Sequence, residues 1–584
     1  MLIGAASACS AGGGSEATSG GRHGIGDAGG AGGSGGSAGD GGVLIDASYE
    51  ACVPLCADDG RSYTDCNGQN VACADTDSCT VKGCAPACDA ARANKSSVGC
   101  EYRAVMMDGI GGATDGCFVA FVANTFGTPA HLTAKFGAAA LDLAAYARVP
   151  TGSGPSLHYG AYDPVAGLAP GEVAILFLAG NDANGGVACP VPTAVPTSAQ
   201  VTGTGLGTSF LVSSDVPVVA YQMLPYGGGS AAVTGATLLL PTSAWGTNYV
   251  AVNAYAQSQA AGTNPSLDIV AAEDDTSIII LPRADIAGGS GVASATANQP
   301  ATYVLSAGQV LQLTQPAELT GSPVESNKPI GLFAGHACLN VPASVAYCDH
   351  AEQAIPPVRA MGGEYVGVTY RQRSARAEHP PWRVIGAVDG TTLTWDPPVG
   401  GPATLDLGQV AEFTTTVPFV VTSQDAAHPF LLFTYMTGSQ SVQDGYGDAD
   451  FVRIVAAKQY LSRYVFFTDP TYPETNLVVV RRATAGAFAD VSLDCAGVLT
   501  GWTPVGSAGT YEYTRIDLVR HDFQPQGACN NGRHEMHSDG PFGLWVWGWG
   551  TPETGIATIN VSYGYPAGEN VQPLNDIVVP PVPH

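Results

Sequence analysis

The sequence predicts an all-β fold in which one unit of about 105 residues occurs four times. Three observations carry this. A short phrase recurs as Pro217-Val218-Val219-Ala220-Tyr221, Pro329-Ile330-Gly331-Leu332-Phe333, Pro429-Phe430-Leu431-Leu432-Phe433 and Pro541-Phe542-Gly543-Leu544-Trp545, each a proline opening an apolar run of strand length. A second mark opens each unit, a tyrosine with β-branched or aromatic residues: Tyr102-Arg103-Ala104-Val105, Tyr249-Val250-Ala251-Val252, Tyr365-Val366-Gly367-Val368 and Tyr464-Val465-Phe466-Phe467. Charged residues make up 12% of the chain, against roughly 25% in ordinary soluble domains, and 76 glycines and 40 prolines favour short strands and turns over salt-bridged helices.

Ahead of the units the chain changes character three times. Residues 1–9 are apolar, ending in small residues directly before Cys9, and resemble the tail of a bacterial lipoprotein signal, which makes Cys9 the expected lipidation site; an ordinary secretory cut near Ala8 is the alternative. Residues 10–48 are nearly all Gly, Ser, Ala and Asp and predict a flexible tether of roughly 30 Å reach. Its matches to GxGxxG and GxSxG are accidents of low complexity, since neither sits between a strand and a helix. Residues 49–100 form a cysteine-rich module. Cys52, Cys56, Cys66, Cys73, Cys79 and Cys84 fall in a segment too short to bury a core, so three disulfides are expected, with fifteen pairings open. Zinc is disfavoured there by irregular spacing and the lack of histidine. Cys88 and Cys100 flank a short helical turn and close the entrance to the body.

The body spans 101–568 and a Pro-rich tail 569–584. Within the third unit, Trp382 to Val388, the Asp389-Gly390 turn and Thr391 to Trp395 read as a hairpin, a second follows around Leu405 to Val410, and a third joins Phe419-Val420-Val421 to Phe430-Leu431-Leu432-Phe433. The second unit copies this plan around Asp274-Asp275. Seven or eight strands per unit fit either two four-stranded blades, giving a propeller of about eight blades, or tandem β-sandwiches. The resemblance between the strand after Cys100 and the one at Ile559 to Tyr565 favours the ring, closed by a terminal strand from each end in one sheet.

Gly99-Cys100-Glu101-Tyr102, Leu240-Pro241-Thr242-Ser243-Ala244-Trp245-Gly246, Lys328-Pro329-Ile330 with Gly335-His336-Ala337-Cys338, Tyr347-Cys348-Asp349-His350, and Pro541-Phe542-Gly543 with Ser562-Tyr563-Gly564-Tyr565-Pro566-Ala567-Gly568 carry a resemblance to the N-terminal domain of the IgGFc-binding protein family. It covers about Val98 to Gly568 and is similar to exported bacterial members. The resemblance implies an extracellular, non-enzymatic binding or adhesive domain; it carries no immunoglobulin-binding residues over.

Fifty acidic against 23 basic side chains give a net charge of -27, which excludes nucleic acid as a natural partner. Fifteen cysteines place the chain outside a reducing cytosol, and no apolar run is long enough to span a bilayer as a helix, so membrane contact is expected only through a lipid on Cys9. Two cysteines and two histidines at Gly335 to His350 suit zinc, but a Cys338–Cys348 disulfide is simpler. A loop stapled in this way would present His336, Asp349, His350 and Glu352 as a contact surface. Cys117 with Cys189 and Cys495 with Cys529 remain as pairs by elimination. His534, Glu535 and His537 lack HExxH spacing, and their Gly and Asp neighbours predict a loop. Trp545, Trp547 and Trp549 alternate, so their rings share one face of a strand, for core packing or for stacking on sugars. No catalytic residue, cofactor or metal is predicted. The expected function is an exported cell-surface binding or adhesion protein that contacts an extracellular protein or glycan through loops, with a secreted hydrolase or a structural envelope component as alternatives.

Overall fold

The computed structural model describes residues 54–582 apart from 58–59, 81, 181–185, 228–232, 260–261, 443–444 and 555–558; the leader with Cys9, the tether and Cys52 lie outside the described residues. Nearly half of the structure is strand, and 7% is helix. Four units follow one another, and each is organised by a long strand: Phe210–Leu224, Pro323–Leu339, the pair Phe419–Ser423 and Phe430–Met436, and Gly532–Trp549.

The repeated proline marks the point where this strand leaves one sheet for another. Before it, the long strand pairs with the entry strand of its unit: Gly99–Ala104, Gly246–Val250, Glu364–Gly367 or Leu461–Thr468. After it, the strand pairs on one side with Phe118–Asn124, Pro265–Ala271, Pro381–Gly386 or Glu474–Arg482. On the other side it pairs with an axial strand: Gly235–Leu238, Asp349–Ile355, Asp450–Arg453 or Ser562–Pro566. A proline donates no ladder hydrogen bond, so it sits where the partners change, and in the first, second and fourth units the register with the entry strand shifts across it.

The two repeated sequence marks are bonded to each other. The hydroxyls of Tyr102, Tyr249 and Tyr365 donate to the carbonyls of Val218, Ile330 and Phe430 at 2.6 Å, and Tyr464 donates to Phe542, in every case the residue directly after the proline. In the last three units the same hydroxyl accepts from the backbone N–H three residues earlier, at Gly246, Gly362 and Leu461. The first two of these sites need glycine: a Cβ at Gly246 would lie 2.6 Å from the Pro357 Cβ, and one at Gly362 2.5 Å from the Ala456 Cβ. These contacts seat each unit's entry strand on the link to the next unit.

Two sheets joined by a shared strand fit the tandem-sandwich alternative, and eight separate blades are not what the pairings give. The expected hairpins are also corrected. Pro381–Gly386 and Thr391–Asp396 pair with opposite halves of the long strand and not with each other, so Asp389-Gly390 turns the chain between sheets. The Asp274-Asp275 turn does the same, the turn at Leu405 to Val410 connects strands of different sheets, and the two Phe-rich runs of the third unit are halves of one interrupted strand.

The four axial strands pack in a closed cycle, first on second, second on third, third on fourth and fourth on first. The sheets that carry them are buried on both faces. In the fourth unit Leu477 and Val479 join the core of the first unit, while Val478 and Val480 join that of the third. In the third unit Leu431 and Phe433 face the second unit's core, and Phe430 and Leu432 face their own. This explains near-continuous apolar runs where a one-sided sheet would alternate.

The two ends of the β body meet, though not within one sheet as expected. Backbone bonds run from Ser97 N–H to the Glu569 carbonyl and from Val571 N–H to the Lys95 carbonyl, both 2.8 Å. The segment expected as a tail continues as a strap over the links between units. Asn570 bonds to Gln459, Leu574 to Arg359 and Val579 to Asn248, and Glu569, Val571 and Val579 are buried. A buried ion pair of Arg453 with Glu569 fixes the strap to the third unit.

Candidate functional site

Two places in the fold concentrate polar side chains, one sealed along the axis and one open at the rim. Along the axis lie Asp268, Asp349, His350, Glu352, Asp448, Asp450 and Asp469, every one without exposed surface. The Glu352 carboxylate accepts from Gln222 Nε2 at 2.7 Å, and the Val105 backbone holds Gln222 in place, its carbonyl accepting from the same Nε2 and its N–H donating to Oε1, both at 2.9 Å. Asp349 Oδ1 accepts from Thr234 N–H, and Asp448 Oδ1 from Ser439 and Ala449 N–H. Among the described residues neither oxygen of Asp268 has a hydrogen-bond partner, nor has the second oxygen of Asp349, Asp448, Asp450 or Asp469. Burial raises the five aspartates, Asp448 and Asp469 to about 7 and Asp268, Asp349 and Asp450 well above the carboxylate range, with neighbouring carboxylates adding to the rise of the last three.

His336, Asp349, His350 and Glu352, expected as a contact surface, are therefore fully buried. The reason is topological: Asp349–Ile355 is an axial strand covered by its neighbours, and the Cys338–Cys348 bond ties its start to the long strand rather than to an open loop. His336 Nδ1 accepts from Cys338 N–H at 3.0 Å and Nε2 donates to the Ala256 carbonyl at 3.1 Å, while burial lowers its pKa to about 3, so it is a neutral structural group. Among the described residues neither ring nitrogen of His350 has a hydrogen-bond partner; its Nε2 lies 3.7 Å from Glu352. Acids and imidazoles sealed from solvent bond backbone or hold protons and reach no external substrate.

Among the described residues the disulfides are Cys56–Cys79, Cys73–Cys84, Cys88–Cys100, Cys117–Cys189, Cys338–Cys348 and Cys495–Cys529. Cys66 is also disulfide-bonded. One metal-like grouping occurs among those residues, Asp494, Cys495 and His534, but the sulfur is bound to Cys529 and the imidazole Nδ1 contacts Asp494 at 2.9 Å, leaving too few ligands for a closed zinc site. His534, Glu535 and His537 lie in the long strand of the fourth unit, not in a loop. The three tryptophan rings are buried in one core.

The open site is a groove where the cysteine-rich module meets the first and fourth units. The helix Ala87–Asn94 packs on the first unit and is stapled to it by Cys88–Cys100. Arg61 of the module lies 4.8 Å above the Phe126 ring. Below it, two adjoining cavities of about 210 and 310 Å³ are lined by Thr125, Phe126, Arg463 and Val465, with Ala90 and Asn94 at one end and Arg533 and Glu535 at the other. Glu535 joins Arg463 and Arg533 at 2.8 Å each, which holds its carboxyl below the ordinary range despite burial. The arrangement presents a mixed apolar and guanidinium surface suited to a protein side chain. Sequence reading missed it because its residues come from segments far apart in the chain, at Arg61, Ala90 to Asn94, Thr125-Phe126, Arg463 to Val465 and Arg533 to Glu535, and no local pattern joins them.

A family model described as IgGFc binding protein matches residues 235–548, from the first axial strand to the end of the fourth long strand. No curated protein and no solved structure matches the chain.

Proposed function

The chain belongs to the IgGFc binding protein family, and from that premise we propose that it is an exported cell-surface protein that holds an extracellular protein partner in the groove beneath its cysteine-rich module. The family is one of binding proteins and not of enzymes. The observation that carries the reading is the contrast between the two polar sites: the titratable cluster is sealed, while the open groove offers a rigid floor, an aromatic ring and guanidinium groups. Arginine and aromatic side chains are the usual centres of protein interfaces. Export is supported by the disulfides, which are stable only outside a reducing compartment. No helix among the described residues is long and apolar enough to cross a membrane, and attachment through a lipid on Cys9 is part of the proposal.

The test is binding of the purified full chain to immunoglobulin Fc and to a panel of purified extracellular matrix proteins, read by surface plasmon resonance. Saturable binding to one of them, weakened at least about tenfold by Arg463→Gln in protein that keeps its circular dichroism spectrum, is the expected result. Binding indifferent to groove substitutions would remove the site, and turnover on a panel of glycosides and esters would replace the reading with the hydrolase one.

A further inference from the structure

A second open cavity, of about 240 Å³, lies between the third and fourth units and is distinct from the groove. Its walls are the loop after the third entry strand, with Thr369, Gln372 and His379, together with Thr416 and the Arg515 side chain. Arg515 stands on the strand Tyr511–Arg520 of the fourth unit. Its Nε donates to the Thr369 carbonyl at 2.7 Å and its guanidinium lies 4.9 Å from the Tyr513 ring, which fixes its orientation; among the described residues no carboxylate pairs with it.

Arg283 and Arg376 also bond carbonyls and no carboxylate, but in this chain of net charge -27 Arg515 is the arginine that lines the cavity. Arg371, in the loop that Arg515 bonds, is paired with Glu474 and with Asp517, two residues along the strand from Arg515, and Arg463 and Arg533 share Glu535. The acid in the cavity wall, Glu378, is already taken up by Arg373 at 2.6 Å and by Thr437. The cavity therefore carries one uncommitted positive charge. A planar guanidinium matches a carboxylate in a two-point contact, and one cation in an acidic protein suits a monoanion better than a dianion. Around it stand the exposed Gln372, His379 and Thr416 side chains: the Gln372 Nε2 is spent on the Ser374 and Arg376 carbonyls, which leaves its oxygen to accept from a hydroxyl, while the His379 ring and the Thr416 hydroxyl can both donate and accept, with Pro380 and Ala377 as an apolar wall. The volume suits a single sugar ring rather than a drug-sized ligand, for which about 300–1,000 Å³ is usual.

We propose that this cavity binds a carboxylated pyranose, a hexuronate unit of an acidic polysaccharide, with Arg515 on the carboxylate and Gln372, His379 and Thr416 on the ring hydroxyls. The site is independent of the protein-binding groove. The probe is sodium D-glucuronate titrated into the full chain and followed by saturation-transfer NMR and calorimetry, with D-glucose, the methyl ester of glucuronic acid and sodium acetate as comparisons. Saturable binding of glucuronate alone is expected, weakened at least about tenfold by Arg515→Gln and partly retained in Arg515→Lys, which keeps the charge and loses the fork. Thr416→Trp, at an exposed position on the rim, should block the cavity without touching the fold, and serves where Arg515→Gln does not fold. No binding, equal binding of glucose or the ester, equal binding of acetate, or full affinity in both Arg515→Gln and Thr416→Trp would each overturn the proposal.

Discussion

At each of the four junctions a tyrosine hydroxyl meets the carbonyl after a proline; along the axis, by contrast, no two strands carry the same polar residues. The junctions are repeated because the geometry is: a strand must change sheets at one fixed point, and the bonds that hold the change are local to each unit. The axis is shared by four units at once, so each strand's side chains answer to different neighbours. Gln353 Nε2 reaches the carbonyls of Ala236 and Gly564, in the first and fourth units, and Ser562 exchanges bonds with Thr234 and Asp448. Repetition in the sequence thus tracks what a unit does alone, and variation tracks what the units do together.

The largest test of this contrast is pH. Asp448 and Asp469 have folded pKa values of about 7 because burial disfavours the charged form. A raised acid binds its proton in the folded state while the unfolded chain has already released it. Its stabilising share is therefore full below about pH 4 and is lost as pH rises to about 7, up to roughly 4 kcal/mol for each such group. Asp268, Asp349 and Asp450 act in the same direction. Melting temperature should fall between pH 5 and pH 8, and Asp448→Asn, which keeps a neutral side chain in place, should raise stability at pH 8 and flatten the profile. A melting temperature that climbs over that range would mean that the axis holds its acids charged.

Next in size is the junction itself. Tyr249→Ala removes a fully buried ring and both of its bonds and should cost about 3–5 kcal/mol in denaturant unfolding. Tyr249→Phe keeps the ring but leaves the Ile330 carbonyl and the Gly246 N–H unpaired in the core, at a cost of about 2–3 kcal/mol. Neither change should alter the pH profile. If Tyr249→Phe were neutral, the repeated hydroxyl would be incidental to the strand's change of sheet.

The all-β class, the four units and their strand positions were legible because periodicity and the two repeated marks are local signals. Partnership was not. Asp389-Gly390 is a good turn in either setting, and nothing in Trp382 to Trp395 says whether the flanking strands pair with each other or with two halves of a third. Burial misled at Asp349–Ile355 in a different way: a polar run with an aspartate, a histidine and a glutamate reads as an exposed loop, yet closure of the axis places it at the centre. The hint was positional, since the run follows the proline strand at the same place as Gly235–Leu238, Asp450–Arg453 and Ser562–Pro566. Arg515 gave no sequence signal, as its solitude depends on which carboxylates are already paired.

The smallest expected effect separates the two halves of the junction. Pro329 is half-exposed, and its carbonyl accepts from Ala272 N–H at 3.3 Å, a bond that alanine keeps. Pro329→Ala adds one N–H that water can reach, so the folded state loses little. The cost is then mainly the extra freedom of the unfolded chain, about 0.4–1 kcal/mol. A junction in which Tyr249→Phe costs more than Pro329→Ala is pinned by the hydroxyl, with the proline keeping the ladder from running on. Were the order reversed in unfolding midpoints of the two variants, the proline's fixed backbone would be what turns the strand, and the tyrosine would only fill the space the turn leaves.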